Sequence, residues 1–330
     1  MRTMGVRAFG PAAVIEPLDL PQPVPGEGEV LVRIRFSGVN HIDAAIRNGG
    51  FASSATHRTV LPMALGMEGA GVIERAGRGV TAVKPGDRVA FCISRGSHAD
   101  FAVVPAWRVV KVPDGMSLDI AAALQLQGNT AHYLTTSAFP VAVGDVCLVH
   151  AGAGGVSQFL IQLAKLKGAT VIATVGSQDK AAVARARGAD HIVFYANDDF
   201  AQRIMEITGG QGAHVVYDGV GKDTIAGSIR STRRRGLCIN YGSVSGAVGA
   251  VSPAELGDAG SVFFTRPHLA DYMQDAAEVA MRAKDLFELH KTGKLTVTID
   301  KVVPLEQARE ALALVEGRSA RGKVLLKVSE

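Results

Sequence analysis

A glycine-rich turn between two strongly patterned segments constrains the fold of this chain more than any other feature. Val146, Leu148 and Val149 form a short apolar run typical of a buried strand, and residues 152–157 (GAGGVS) follow it directly. Apolar residues then recur at helical spacing as far as Gly168, a residue that favours the end of a helix. The order strand, glycine turn, helix predicts one βα unit of a parallel sheet.

The turn matches the dinucleotide-binding pattern Gly-x-Gly-x-x-Gly, except that Ser157 stands at the last position. Glycines let the backbone approach a pyrophosphate, and the helix N-terminus offers unpaired N–H groups and a partial positive charge. Serine is a small substitute, which we expect to shift the helix packing slightly without abolishing binding. The alternative is a glycine-rich turn that binds nothing. We predict that the turn binds a dinucleotide through Gly152, Ala153, Gly154, Gly155 and Val156.

Composition is that of an ordinary α/β protein of about two domains: 330 residues, 47% hydrophobic, with 38 glycines. The net charge is only +4, and we interpret the basic run Arg233–Arg235 as a solvated loop at a helix end. Nucleic acid is therefore not an expected partner. We recognise no signal peptide or membrane-spanning segment, and Cys92, Cys147 and Cys238 stand among apolar residues. These features predict a cytoplasmic protein with reduced cysteines and no membrane partner.

The chain changes character along its length. Residues 1–126 contain short alternating strands with Gly/Pro turns, which predict a barrel-like antiparallel domain. Strands and helices alternate within residues 127–265, which predicts a doubly wound parallel sheet. Residues 266–330 are expected to return to the first domain, after a long helix over Asp271–Lys291. We also expect two helical segments, one ending at Leu126 and the next starting at Asn129.

The end of the second strand of the parallel sheet bears on which dinucleotide binds. NAD sites usually carry Asp or Glu at this position, whereas here the strand ends in Val175, Gly176 and Ser177. Without that carboxylate a 2′-phosphate is not repelled, and Lys180 can supply a charge-assisted contact. Lys180 could instead be an ordinary surface lysine. Together the two features favour NADPH as the cofactor.

No metal site is expected. A zinc dehydrogenase needs Cys, His and acidic ligands, often with a lobe of four cysteines, but the sequence has no Cys-x-x-Cys pair and its histidines are scattered. Without a Lewis acid to polarise an alcohol, electron-poor acceptors are favoured over alcohol substrates.

Several segments together resemble one family, the medium-chain dehydrogenase/reductase superfamily, in its zinc-free quinone oxidoreductase branch (zeta-crystallin-like NADPH:quinone reductases). The resemblance covers essentially the whole chain. In zinc-containing relatives a cysteine stands at the Asn40 position and a histidine at the Met67 position. The matching segments are residues 38–43 (GVNHID), 65–72 (LGMEGAGV), 83–89 (VKPGDRV), 150–158, 173–177, 215–218 and 265–267.

The resemblance implies an α/β fold with a GroES-like β-barrel catalytic domain and a Rossmann domain that binds NADPH. By position, Lys180, Tyr195 and Arg318 look like the family's 2′-phosphate contacts. It also implies a homodimer formed by pairing of an edge strand at Ser261–Thr265. Further cofactor contacts by position are Thr130, Gly176, Ser177, Tyr241, Gly242, Ser243, Phe264 and Thr265.

The expected reaction is hydride transfer from NADPH to a quinone. Asn40 would donate to the acceptor oxygen or hold the nicotinamide ribose, with Asp43 in a proton or orientation network; alternatively both are a turn residue and a helix cap. Relatives often have a tyrosine where this chain has Ala44–Ala45, and the loop Gly49–Val60 lacks their aromatic and proline cluster. Two other functions therefore remain open: reduction of α,β-unsaturated ketones or enals, with Tyr133 or water as proton donor, and NADPH binding with little turnover.

Overall fold

The computed structural model describes residues 1–50, 60–195 and 199–329 of the chain. It divides into two compact units. The first unit comprises residues 1–129, 273–292 and 297–330, and the second comprises residues 130–272 and 293–296.

Short strands dominate the chain up to residue 117, and a long helix follows them. The elements are β1 (Met4–Val6), β2 (Glu16–Pro17), β3 (Glu29–Val39), α1 (His41–Arg47), β4 (Met63–Ala64), β5 (Glu68–Ala76), β6 (Arg88–Cys92), β7 (Phe101–Pro105), β8 (Val110–Lys111) and α2 (Leu118–Tyr133).

Helix α2 is continuous through Gly128, so the prediction of two separate helical segments is wrong. A glycine inside a helix usually weakens it. Here a Cβ atom on Gly128 would lie 3.2 Å from a methyl carbon of Leu286. The glycine therefore makes room for a neighbouring side chain, and the packing outweighs the local preference.

Strands and helices then alternate, as predicted. The elements are β9 (Val146–Val149), α3 (Gly155–Leu166), β10 (Thr170–Val175), α4 (Gln178–Ala186), β11 (His191–Phe194), α5 (Phe200–Ile207), β12 (Ala213–Asp218), α6 (Ile225–Ser231), β13 (Thr232–Asn240), α7 (Pro253–Asp258) and β14 (Phe263–Thr265).

These strands form a parallel sheet in the order β11-β10-β9-β12-β13-β14. The strand order reverses between β9 and β12, which is the doubly wound arrangement that the alternating pattern predicts. Helices on the sheet faces bury apolar residues such as Leu148, Ile172 and Val216. Strand β14 lies at an edge of this sheet, and Phe263 in it is 65% exposed.

The run Arg233–Arg235 lies within β13 and not in a loop, so that interpretation is wrong. The register between β12 and β13 shifts at this point, and Arg235 has a positive φ of 56°. The bulge turns the side chains of Arg234 and Arg235 to solvent, which is how a strand accommodates adjacent cations. In the described part of the chain, no helix is long and apolar enough to cross a bilayer.

The last part of the chain contains α8 (Ala276–Lys291), β15 (Ile299–Pro304), α9 (Ala308–Glu316) and β16 (Lys323–Lys327). Helix α8 begins later than the predicted Asp271, because the Asp275 carboxylate accepts the Glu278 amide at 2.9 Å and caps the first turn. A short 3₁₀ turn at Leu269–Tyr272 precedes it.

Strand β16 pairs antiparallel with β3, with Leu325 opposite Gly38. The last strand of the chain therefore lies in the sheet of the first unit. The sheet of the first unit has the order β15-β16-β3-β5-β6-β8, with β7 also paired to β3, while β1 pairs with β2 and β4. Its buried core includes Val32, Ile34, Phe91 and Leu326.

Candidate functional site

The glycine-rich turn joins β9 to α3 and is tightly packed. A Cβ atom on Gly152 would lie 2.9 Å from the Ala173 Cβ and 3.1 Å from the Ala184 Cβ, so a larger residue would push the turn away from β10 and α4. Gly154 is the N-cap of α3, whose first amides have no acceptor within the helix. Together with the positive end of the helix dipole, these amides suit a pyrophosphate.

Ser157 stands at the position of the third glycine of the pattern, in the first turn of α3. Its buried hydroxyl donates to the His150 carbonyl oxygen at 2.8 Å and lies 3.5 Å from the Tyr241 hydroxyl. The serine therefore satisfies the carbonyl at the end of β9 and approaches the residue that follows β13. Its effect on cofactor binding stays a prediction.

The end of β10 lacks a carboxylate. Ser177 caps α4, and its hydroxyl accepts the backbone amide of Lys180 at 3.4 Å. The Tyr195 hydroxyl, just beyond β11, packs so closely on Gly176 that a Cβ atom there would lie 2.8 Å from it. The structure thus brings Gly176, Ser177 and Tyr195 together at the ends of neighbouring strands, and Lys180 follows on the first turn of α4. That Lys180 contacts a 2′-phosphate there stays a prediction.

Most of the other predicted cofactor residues of the second unit lie in or directly after the strands β13 and β14. Tyr241, Gly242 and Ser243 come directly after β13, and desolvation raises the pKa of Tyr241 to about 12. A Cβ atom on Gly242 would lie 2.5 Å from the Gly219 carbonyl oxygen. Phe264 and Thr265 lie in β14, and Thr130 lies on α2.

Arg318 belongs to the first unit and follows α9 with a positive φ of 55°. Its contact with a 2′-phosphate remains a prediction.

A buried polar network lies beneath the turn. The Asp218 carboxyl accepts the amides of Val220 and Gly221, each at 2.9 Å, and the hydroxyls of Thr224 and Ser228, at 2.8 Å and 2.7 Å. It thereby organises the loop that follows β12.

The His150 ring links this network to β10. Because the Ser228 hydroxyl donates to Asp218, the His150 Nε2, 2.9 Å away, must carry the proton it shares with Ser228. Its Nδ1 then accepts from the Thr174 hydroxyl at 2.9 Å. Burial lowers the pKa of His150, which agrees with a neutral ring. The network therefore fixes the strand end from which the glycine turn departs.

In the first unit, Asn40 and Asp43 lie at the start of α1, where β3 ends. The Asp43 carboxylate accepts the Asn40 amide at 2.8 Å, so Asp43 does cap the helix. The Asn40 side chain bonds elsewhere: its Nδ2 donates to Glu68 Oε2 at 2.8 Å, and its Oδ1 accepts from Lys323 Nζ at 2.7 Å. Asn40 is therefore part of a buried charged cluster rather than a simple turn residue.

Glu68 and Lys323 form a buried ion pair in this cluster, with side chains 0% and 1% exposed. The second carboxylate oxygen of Glu68 accepts the Leu126 amide at 2.6 Å. Both charges are thus satisfied inside the protein, as buried charges must be.

Burial dominates the titration of two further groups here. It raises the pKa of Asp43 to about 7, against the Asn40 amide and the Lys323 charge, which favour ionisation. It lowers the pKa of His98 to about 4, and Lys323 acts in the same direction. Near neutral pH the cluster therefore contains a carboxyl that exchanges its proton and a neutral imidazole.

Replacing Asp43 with asparagine should change how stability depends on pH. The folded protein binds a proton at Asp43 below about pH 7, but the unfolded chain does so only below about pH 4. Proton binding at Asp43 therefore adds to the free energy of unfolding at low pH, and about 4 kcal/mol of that stability is lost as the pH rises between those values. The substituted amide side chain does not titrate and still offers an oxygen to the Asn40 amide. Urea unfolding should therefore show a larger gain in stability over the parent at pH 8 than at pH 5. An equal difference at both pH values would contradict the assignment.

Tyr133 is poorly placed to be the proton donor that we considered for the reduction of α,β-unsaturated ketones or enals. It is 1% exposed and stacks on Tyr272 with ring centroids 4.4 Å apart. Burial raises the pKa of its hydroxyl well above the usual value, which weakens it further as an acid. The altered loop at Gly49–Val60 falls mostly on residues 51–59, outside the described residues.

Within residues 1–50, 60–195 and 199–329, no three His, Cys, Asp or Glu side chains are grouped so that they could hold a metal ion. Met67 is buried, and the Asn40 side chain is engaged with Glu68 and Lys323. Cys92, Cys147 and Cys238 are buried and free.

Two family models match the chain. Residues 26–114 match the family model of the alcohol dehydrogenase GroES-like domain, and residues 155–301 match that of zinc-binding dehydrogenases. The chain is 39% identical to a 2-haloacrylate reductase of a Burkholderia species, with 92% of this chain and 91% of that protein covered. It is 37% identical to a quinone oxidoreductase of Pseudomonas aeruginosa, with 97% of each covered.

A solved structure is also similar to this chain. The quinone oxidoreductase of Escherichia coli, complexed with NADPH, superposes with a TM-score of 0.95 at 34% identity, covering 99% of this chain and 100% of that one. The chain belongs to the medium-chain dehydrogenase/reductase superfamily. Within that superfamily it is a member of the quinone oxidoreductase family, as the resemblance predicted.

Reasoning from the sequence missed Glu68, Lys323 and Asp218 as site-forming residues. Glu68 stands in a run of glycines and small residues, and Lys323 opens an apolar strand. An ionisable residue among small or apolar residues indicates that it is buried against a partner of opposite charge. The sequence does not identify that partner.

Proposed function

We propose that this protein is an NADPH-dependent reductase that transfers a hydride to a quinone without a metal ion. The observation that carries the proposal is the group Gly176, Ser177, Lys180 and Tyr195 beside the glycine-rich turn. It combines a pyrophosphate-binding helix end with a cation in place of the acid of NAD sites. A family member solved with NADPH adds support.

When bound, NADPH supplies the hydride from its nicotinamide ring. The protein's own part is to hold the pyrophosphate on the turn and the 2′-phosphate on Lys180, Tyr195 and Arg318. Thr130, Tyr241, Gly242, Ser243, Phe264 and Thr265 would hold the remainder of the cofactor. Asn40 would donate a hydrogen bond to the acceptor oxygen as that oxygen gains negative charge.

Metal independence is supported by the cation that the first unit already contains. The Lys323 ammonium lies within hydrogen-bond distance of the Asn40 Oδ1 and the Glu68 carboxylate. A divalent ion at the Asn40 position would face this charge, and the described residues place no thiolate there to compensate for it. The reaction proposed for this site therefore starts from an acceptor that needs no Lewis acid.

Reduction of an activated alkene is the second candidate. The relative at 39% identity is named a 2-haloacrylate reductase, a reaction that adds hydride and a proton across a C=C bond. Asp43, with its pKa raised to about 7, holds a proton in the Asn40 cluster that could supply such a reaction.

A panel of acceptors tests these candidates against one another. NADPH oxidation would be followed with para-quinones, α,β-unsaturated ketones and 2-chloroacrylate. Turnover with quinones supports the primary proposal. Turnover with enones or 2-chloroacrylate alone would replace it with the second candidate. Tight NADPH binding with no acceptor reduced would leave only a binding protein.

Replacing Lys180 with alanine should reduce the preference for NADPH. Loss of one charge-assisted contact costs about 1.5–3 kcal/mol, so the KM for NADPH should rise about 10- to 150-fold while that for NADH stays unchanged. Lys167→Ala, at the far end of α3, is the matched control and should change neither KM. An unchanged NADPH/NADH ratio in Lys180→Ala would refute the phosphate contact.

The protein is also expected to form a homodimer through β14, the edge strand that exposes Phe263. Unpaired N–H and C=O groups on such an edge favour pairing with a second copy. Light scattering after size-exclusion chromatography should give twice the chain mass. Phe264→Pro, which removes one amide of β14 and disfavours strand pairing, should shift the protein towards monomer, whereas dimers that persist in this variant would exclude β14 as the interface.

A further inference from the structure

The buried pair Glu68–Lys323 meets across a glycine. Glu68 is on β5 and Lys323 on β16, the two strands that flank β3. A Cβ atom on Gly38 of β3 would lie 1.9 Å from Glu68 Oε2 and 2.8 Å from Lys323 Cε. The missing side chain at Gly38 is therefore what lets the two charges reach each other and Asn40.

The pair leaves the Asn40 carboxamide one favourable orientation. Its oxygen faces the Lys323 ammonium at 2.7 Å, and its nitrogen faces the Glu68 carboxylate at 2.8 Å. A flipped amide would set N–H groups against the ammonium and the carbonyl oxygen against the carboxylate. One N–H of Nδ2 is used by Glu68, and among the described residues the second has no acceptor.

We propose that Lys323 and Glu68 are positioning residues that orient and polarise the Asn40 carboxamide, so that its second N–H is a strengthened donor to the acceptor oxygen. This inference rests on the proposed function. Lys323 bonds the amide oxygen, draws electron density towards it, and makes the N–H groups of the same amide better donors. Glu68 fixes which way those N–H groups face.

Stability alone does not account for the pair. Replacing a buried ion pair with neutral groups of similar shape is often neutral or stabilising, whereas removing one partner leaves an unpaired buried charge. A purely structural pair could therefore be neutralised without loss of activity. A positioning pair could not, because its effect passes through Asn40.

The test uses the double variant Glu68→Gln/Lys323→Met, which keeps the shapes and removes both charges. We expect it to fold cooperatively, to bind NADPH with an unchanged Kd, and to lose about 10-fold in kcat with little change in the KM of the acceptor. Asn40→Ala in the parent removes the donor altogether and should lower kcat about 100-fold. Lys327→Met, an exposed position on the same strand, is the control for the lysine substitution and should leave kcat unchanged.

In the decisive experiment, Asn40→Ala is introduced both into the parent protein and into the Glu68→Gln/Lys323→Met double variant. If the pair acts through Asn40, that substitution should lower kcat much less in the double variant than in the parent. Equal loss in both backgrounds, or a folded double variant with the parent's kcat, would overturn the positioning role. Absence of turnover by the parent with every acceptor would instead overturn the proposed function, and the positioning role with it.

Discussion

Replacing Gly38 with alanine is expected to destabilise the first unit severely. The new methyl group would overlap the Glu68 carboxylate and approach Lys323, and both side chains are buried with their hydrogen bonds satisfied. Separating a buried pair costs about 3–5 kcal/mol, a large part of the stability of an ordinary domain. The loss should appear as a lower urea midpoint and, in protein that remains folded, as weaker turnover.

Gly249→Ala is the matched control, because a Cβ atom at that position meets nothing within 4 Å and its φ is not positive. It should unfold at the parent's urea concentration. A Gly38→Ala protein as stable as this control would mean that the strands around Gly38 are farther apart than the structure has them.

Replacing Asp218 with alanine should impair the second unit to a similar degree. Its carboxyl is the acceptor for two backbone amides and for the hydroxyls of Thr224 and Ser228, all buried or partly buried. Each donor left without a partner costs about 1–3 kcal/mol, so the variant should lose more than about 3 kcal/mol in urea unfolding. Cofactor affinity should fall with it, because this network holds the strand end before the glycine turn.

Asp223 is an exposed carboxylate in the same loop, so Asp223→Ala is the matched control. It removes a negative charge without removing the hydrogen bonds of the network. It should retain the parent's stability and cofactor affinity. If Asp218→Ala behaved in the same way, the network would not be what supports the turn.

The nucleotide-binding half could be predicted from the sequence because its signals are local. Strand, glycine turn and helix follow one another within residues 146–166, and the missing acid at Gly176–Ser177 lies a few residues from Lys180. Periodicity and turn chemistry act over such distances. Ser157 could be judged tolerable from its size, but its bond to the His150 carbonyl could not be foreseen.

The buried charged cluster of Asn40, Glu68 and Lys323 could not be predicted in the same way. The family resemblance points to Asn40 and Asp43, whereas Lys323 lies 283 residues from Asn40 and 255 from Glu68 in the chain. Only the pairing of β16 with β3 and of β3 with β5 brings them together. The predicted interruption of α2 near Gly128 was wrong for a related reason. A glycine locally favours the end of a helix, but here it leaves room for Leu286, which is far away in the sequence.

The most direct test of metal-free, NADPH-dependent reduction is quinone turnover by chelator-treated protein of measured zinc content. NADPH oxidation would be followed with a para-quinone, and the same preparation would be assayed with NADH. We predict turnover that is independent of zinc content, consumes one NADPH per quinone reduced, and is faster with NADPH than with NADH. Turnover that vanished with the chelated metal, or no oxidation of NADPH by any quinone, would contradict the proposed function.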